Sequence, residues 1–237
     1  MTGQPSRWRT RETSGIYLEG VRGAIPGAAL QLEVISKIVK AWRPLPEKIL
    51  DLGCGDGILG RMLMDEHAAA RVSFADFSDP MLEKIRSIIS DGKRANIVNA
   101  DFSTPSWAAE FEKEKPFDII VSGFAIHHQP DSRKKDLYAE IHALLGRGGP
   151  FLNLDQVSSA TPSIGELFDI FFLDRMRSVQ NSEQMMDKIE DAYYGDKKEN
   201  IPASVEAQCQ WLRDTGFQDV DCFFKTFELA LFGGRKK

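Results

Sequence analysis

The chain alternates short apolar runs, closed by turn residues, with longer stretches in which apolar side chains recur every three or four positions. The first kind reads as buried strand and the second as amphipathic helix. Residues 27–42 carry Leu30, Val34, Ile38 and Trp42 at fourfold spacing, and Pro44 and Pro46 close the helix that this predicts. Residues 49–52 form a first strand, followed by glycines and a helix carrying Leu59, Leu63 and Met64. Residues 72–75 form a second strand. Ser78, Asp79 and Pro80 then open a helix, with Asp79 as N-cap, Pro80 in the first turn, and an apolar face of Met81, Leu82, Ile85, Ile88 and Ile89. Residues 96–100 and 117–122 are strands three and four, with a short helix around 107–111 between them. A helix over 131–145 stops at Gly146, and residues 151–154 make strand five.

Strands that alternate with helices predict an α/β fold with a doubly wound, mostly parallel sheet. The alternation lapses from Val157 to Asn200, where helical stretches over 164–176 and 183–194 are rich in Phe, Met and Tyr. Residues 204–215 form a further helix, ended by Gly216. Two strand-like runs, 217–225 and 227–233, then follow with almost nothing between them. A parallel crossover needs a dozen or more residues, so these two can be neighbours only through a tight reversal. That ending departs from a plain dinucleotide-binding fold. A single domain is expected, with a helical N-terminal cap over 1–47, a core over 48–155, a helical lid insertion over 156–200, and a closing helix and strand pair over 201–237.

Composition narrows the function classes. The chain has 237 residues, 42% of them hydrophobic and 27% charged, enough for one large α/β core. No apolar run approaches the roughly 18 residues needed to span a membrane. Residues 1–13 are polar and lack the apolar stretch of a secretory signal. Cys54, Cys209 and Cys222 are scattered and odd in number, with no disulfide or metal-ligand spacing, so a reducing cytoplasm is the expected compartment. A net charge of −5 argues against a broad nucleic-acid surface.

The densest chemistry lies where the first strand ends. Gly53, Gly55 and Gly57 let the backbone turn sharply and let a ligand lie against bare main chain. The next helix offers unpaired N–H groups at its start. Gly55-Asp-Gly57-Ile-Leu-Gly60 also matches the dinucleotide fingerprint. Two acids weigh against that reading. Asp56 sits at the turn a pyrophosphate would occupy, and Asp51, inside the strand, suits a cationic amino group better than a phosphate. Asp76 ends the second strand about 20 residues further on, where an acid can accept from vicinal ribose hydroxyls.

Asp51-x-Gly53-x-Gly55-x-Gly57 resembles motif I of the class I S-adenosylmethionine-dependent methyltransferases. Ala75-Asp76-Phe77-Ser78 resembles the family's second motif, Asn99-Ala100-Asp101-Phe102 its third strand end, and residues 117–128 its fourth motif. The resemblance implies a Rossmann-like methyltransferase fold, a seven-stranded sheet with its last strand antiparallel and helical lid insertions. It implies S-adenosyl-L-methionine as cofactor. It places Asp51, Gly53, Cys54, Gly55, Gly57 and Met81 around the cofactor, Asp76 on the ribose, Phe77 beside the adenine, and Asp101 with Phe102 at the adenine amino group. Ser122 and Gly123 would pass the methionine end, and Arg22 or Tyr17 would reach its carboxylate from the N-terminal cap. Cys54 is a small filler rather than a nucleophile, since nothing near it in sequence would activate it.

His127 and His128 follow at the crevice mouth, and one could serve as a general base near neutral pH. Asp155, at the end of strand five, points toward the same crevice. No metal is expected from ligand spacing, although His127, His128 and Asp155 could meet there. The implied function is methyl transfer to an oxygen, nitrogen or other nucleophile of a small molecule. An RNA- or protein-modifying methyltransferase, a non-catalytic S-adenosylmethionine binder and a nicotinamide-dependent oxidoreductase are the alternatives. Ala28 and Gly123 stand where tRNA-modifying relatives carry tyrosine and asparagine, which counts against that subgroup. No membrane partner is expected, and a homodimer is compatible with the sequence. Aromatic and Met side chains of the lid, Phe168, Phe171, Phe172, Met176, Tyr193 and Tyr194, would wall the acceptor pocket, with Gly165 and Gly195 as hinges.

Overall fold

The computed structural model describes residues 25–89, 92–179 and 182–237. Tyr17 and Arg22 lie outside the described residues. The strands are β1 (Lys48–Leu52), β2 (Arg71–Asp76), β3 (Ala95–Asn99), β4 (Ile119–Gly123), β5 (Pro150–Gln156), β6 (Gln218–Thr226) and β7 (Leu229–Arg235). They form one seven-stranded sheet in the order β3-β2-β1-β4-β5-β7-β6. β1 to β5 are parallel, and β7 inserts antiparallel between β5 and β6. This is the expected Rossmann-like sheet with its antiparallel last strand. The strand order reverses between β1 and β4, which opens a crevice beyond their carboxyl ends.

The central strands are buried on both faces, which is why they read as continuous apolar runs rather than as alternation. Ile49, Val72, Phe74 and Val121 point to one face, where they meet α1 (Ala28–Trp42), α2 (Ile58–Glu66) and α3 (Asp79–Ile88) through Ile35, Val39, Leu63 and Ile85. Leu50, Leu52, Ile120 and Phe151 point to the other, against Tyr138 and Ile141 of α4 (Asp131–Leu144) and Leu212 of α7 (Val205–Thr215). Asp118 fastens α1 to the sheet: its carboxylate accepts from Arg43 and from the Glu47 and Lys48 N–H groups.

Three local expectations shift. Ser78, not Asp79, is the N-cap residue of α3, since Asp79 is already helical. The short helix is 3-10 and starts at Pro105. Phe117 lies before β4 and makes a lone parallel bridge to Leu145.

The segment expected to be a lid forms α5 (Pro162–Val179) and α6 (Glu183–Lys197). Their apolar faces meet each other. Phe172 stacks on Tyr193 with centroids 4.9 Å apart, and Phe168, Met176, Met186 and Ile189 complete a small cluster that also takes in Ile25 and Leu229. Gly165 and Gly195 lie within these helices rather than at their joints, so the expected hinge positions are not there. Among the described residues, no helix is long and apolar enough to cross a membrane.

Candidate active site

The loop after β1 holds Gly53, Gly55 and Gly57 at φ of 64°, 55° and 78°, backbone that favours glycine. Their surroundings differ. A Cβ on Gly53 would lie 2.4 Å from Cβ of Ala125, and one on Gly57 would lie 2.9 Å from the Phe74 ring. A Cβ on Gly55 would meet nothing within 4 Å, so its bare main chain faces open space. Gly60, the last glycine of the dinucleotide-like pattern, serves packing: its Cβ would fall 2.5 Å from Phe74. Its N–H donates to Oδ2 of buried Asp51 at 2.8 Å.

Asp76 ties the loop to the next strand end. Its Oδ2 accepts from the Gly55 N–H at 2.9 Å and its Oδ1 from the Ser78 N–H at 2.8 Å. Burial raises its carboxyl above the ordinary 3.8; these N–H donors oppose the shift, and the charge of Asp101 adds to it. Burial also pushes the Cys54 thiol well up, with Asp76 and Asp51 reinforcing it, so the group stays a thiol and packs as a filler. Asp101 is half-buried and accepts from the Ser103 N–H at 3.0 Å.

A cavity of about 620 Å³ runs from this loop across the carboxyl ends of β2, β4 and β5. Asp51, Gly53, Cys54, Gly55 and Asp76 line one end of it. Phe77, Met81, Asp101 and Phe102 line the flank, and Gly123 and His128 the far side. Gly57, Ser122 and His127 do not line it. Gly57 is the N-cap of α2, and the fully buried Ser122 donates its hydroxyl to the Leu52 carbonyl at 2.7 Å, pinning β4 to β1. Sequence reasoning missed Ile25, Gln31, Phe124, Gln129 and Glu199, which also line the cavity. Only Phe124 left a trace: it directly follows the strand-end Gly123, and its φ of 52° is costly for a bulky residue. The lid aromatics are absent from the wall. Phe168, Phe172 and Met176 are spent on the contact between α5 and α6, and Phe171 points to solvent with 40% exposure.

The histidines divide. His127 is only 4% exposed, and its Nδ1 lies 2.5 Å from Oδ1 of Asp155, which is fully buried. Asp155 therefore backs His127 and does not reach the crevice as expected. Nε2 of His127 is buried without a hydrogen-bond partner. Burial, then His127 and Lys134, drive His128 down to about 2, so it is neutral and a poor proton acceptor at physiological pH. That departs from the expectation of a base tuned near neutrality. Asp196 of α6 brings a second carboxylate beside the pair.

A family model described as a methyltransferase domain matches residues 49–149. The demethylmenaquinone methyltransferase of Leptospira interrogans is 28% identical over 52% of this chain and 49% of its own. The carboxy-S-adenosyl-L-methionine synthase of Campylobacter lari is 22% identical over 92% of this chain and 90% of its own. Among solved structures, phosphoethanolamine N-methyltransferase 2 of Haemonchus contortus, in complex with S-adenosyl-L-methionine, superposes with a TM-score of 0.60 at 19% identity, covering 92% of this chain and 46% of that one. The chain spans about half the length of the first curated relatives it matches. Residues 49–149 are thus a methyltransferase domain of the class I S-adenosylmethionine-dependent type.

The residues present fit this family's cofactor better than a dinucleotide. Gly55 offers open main chain. The start of α2, where a pyrophosphate would sit, is already served by a carboxylate: Oδ1 of Asp56 accepts from the Ile58 N–H at 3.2 Å. Acids at the ends of β1 and β2 and just beyond β3 suit a ligand that presents hydroxyl and amino donors and a positive charge.

Proposed function

We propose that this methyltransferase moves the methyl group of S-adenosylmethionine to a small molecule held beside His128, Gln129 and Glu199. The observation that carries this is the single cavity of about 620 Å³ that joins the glycine loop to those side chains. Its size is that of a site for small molecules. In this reading Asp76 accepts from the ribose hydroxyls, Asp101 from the adenine amino group, and Phe77, Met81 and Phe102 flank the ring. Asp51, Gly53 and Gly123 hold the methionine end, with Arg22 of the N-terminal segment on its carboxylate. The sulfonium supplies an already activated methyl carbon, so the protein's task is alignment and exclusion of water.

The acidic balance of the chain favours a small acceptor over a nucleic acid. Calorimetry tests the cofactor half: S-adenosylhomocysteine binds and NAD does not. Mass spectrometry of metabolite pools incubated with enzyme and labelled donor tests the acceptor half, with a product gaining CH2 as the expected result. A second reading draws on the Campylobacter relative that the chain spans almost whole, whose name describes a carboxylated form of the cofactor as product. Modified cofactor in place of methylated acceptor in the same assay selects that reading. α5 and α6, with residues 10–27, serve as a lid: Ile25, Ala28 and Phe124 line the cavity and also pack on the lid cluster. Hydrogen exchange should slow in both segments when S-adenosylhomocysteine binds, and identical exchange in the two states removes the lid.

A further inference from the structure

We propose that one divalent transition-metal ion binds beside the acceptor end of the cavity through Nε2 of His127, an imidazole nitrogen of the cavity-lining His128 and the carboxylate of Asp196. The starting observation is proximity: one donor atom from each of these three residues lies within 4.8 Å of the other two. Ligands bonded to a single zinc ion at about 2.0–2.2 Å stand at most about 4 Å apart. Small side-chain rotations therefore close the cluster around an ion.

The second observation is independent of that distance. Nε2 of His127 is buried and has no hydrogen-bond partner, although nine-tenths and more of the side chain is out of water. Its other nitrogen is held by Asp155 at 2.5 Å, and Asp155 itself also accepts from Asn153 and the Gln156 N–H. An imidazole that donates Nδ1–H to a buried carboxylate presents the lone pair of Nε2, and this carboxylate–histidine pairing is the usual support of a metal-bound histidine. A second buried acceptor without a partner lies alongside: Oδ1 of Asn200, whose Nδ2 is 3.5 Å from Oδ2 of Asp196. An unpartnered imidazole nitrogen beside a second histidine and a carboxylate is a donor set suited to a cation.

The donor set selects the ion. Two imidazoles and a carboxylate with no thiolate suit zinc or iron(II) over calcium or magnesium, and three protein ligands leave a coordination position open. His128 lines the cavity together with Gln129 and Glu199, so the open position faces the space given to the acceptor. This use of the ion rests on the methyl-transfer reading above. It fits an acceptor bearing a hydroxyl or enol oxygen, whose proton is lost more readily on the ion. The proton passes to solvent, the oxygen–carbon bond forms as the carbon–sulfur bond breaks, and the electron pair of that bond stays on sulfur. The ion would also tie α6 to the end of β4.

No ligand spacing along the chain marks this site, because Asp196 comes from α6, far from the histidine pair in sequence. The test uses the full chain freed of metal by a chelator. Zn2+ is titrated by calorimetry, and Co2+ is followed by its visible absorption. The wild type should bind one ion per chain. Asp196→Asn and His128→Asn should each weaken it at least about tenfold, and Asp155→Asn by about 10- to 100-fold with a changed cobalt spectrum. Circular dichroism checks that each variant is folded, and Asp196→Asn, a near-isosteric change on a lid helix, keeps the test usable should the buried sites fail to fold. No zinc binding by the wild type, or equal affinity in Asp196→Asn, overturns the proposal. S-adenosylhomocysteine is titrated in parallel: if it binds and zinc does not, the metal site alone falls, and if it does not bind, the methyl-transfer reading falls.

Discussion

At the glycine-loop end of the cavity, the polar groups come from the closing residues of strands or the turns just after them: Asp51 of β1 and Gly55 after it, Asp76 of β2, Asp101 after β3. At the histidine end the lining groups His128 and Glu199, and the Asp155 and Asp196 carboxylates packed around the histidine pair outside the wall, come from far-apart segments. The first end is held by backbone N–H groups reaching carboxylates, as in Asp51 with Gly60 and Asp76 with Gly55. The second adds side chain on side chain, as in His127 with Asp155. A strand end in a parallel sheet fixes where its last residues point, so the first end is specified one strand at a time. The second end exists only once α5 and α6 have docked.

The strongest way to break this contrast is inside the loop. Gly53→Ala forces a Cβ to 2.4 Å from Ala125 at a positive φ and should cost roughly 2–5 kcal/mol of stability in urea unfolding. Gly55→Ala, with open space around its Cβ, should cost only about 1–2 kcal/mol while still weakening S-adenosylhomocysteine binding. Equal losses of stability would show that crowding does not distinguish the two glycines.

Next in size is Asp76→Ala. It should weaken S-adenosylhomocysteine binding by roughly 1.5–3 kcal/mol, about 10- to 150-fold, through lost charge-assisted hydrogen bonds. An unchanged dissociation constant for the folded variant removes Asp76 from the ribose. His128→Asn probes the opposite end. Turnover should fall about tenfold or more while cofactor affinity stays within about twofold, because distant sites act additively. A large loss of cofactor affinity would show that the two ends are one unit.

The smallest effect is with pH. Asp76 has its carboxyl raised above 3.8 by burial, so on acidification it protonates before ordinary carboxylates. Cofactor affinity should therefore begin to fall above pH 3.8 as pH drops, and that early loss should vanish in Asp76→Asn. The sign for stability is opposite: the folded state holds this proton more tightly than the unfolded one. The associated stability is present below the unfolded value and is lost as pH rises through the folded one. Calorimetry across that window reads the first effect and urea unfolding the second.

The sequence by itself determined the sheet, the glycine loop and the strand-end acids. The period of the apolar residues and the turn chemistry of glycine are local properties, and Asp51, Asp76 and Asp101 inherit their places from them. It misdirected Ser122, because a residue at a strand end can face the neighbouring strand as readily as the cavity, and only the pairing of β4 with β1 turns its hydroxyl to Leu52. It placed Asp155 in the crevice when burial sets it behind His127. It assigned the lid aromatics to the pocket wall when their cheapest partners were each other. The tertiary structure alone decided the histidine end. Which face of α6 is buried, which carboxylate reaches the histidine pair and which nitrogen is left without a partner follow from the docking of segments far apart in the chain, and no local pattern encodes such packing.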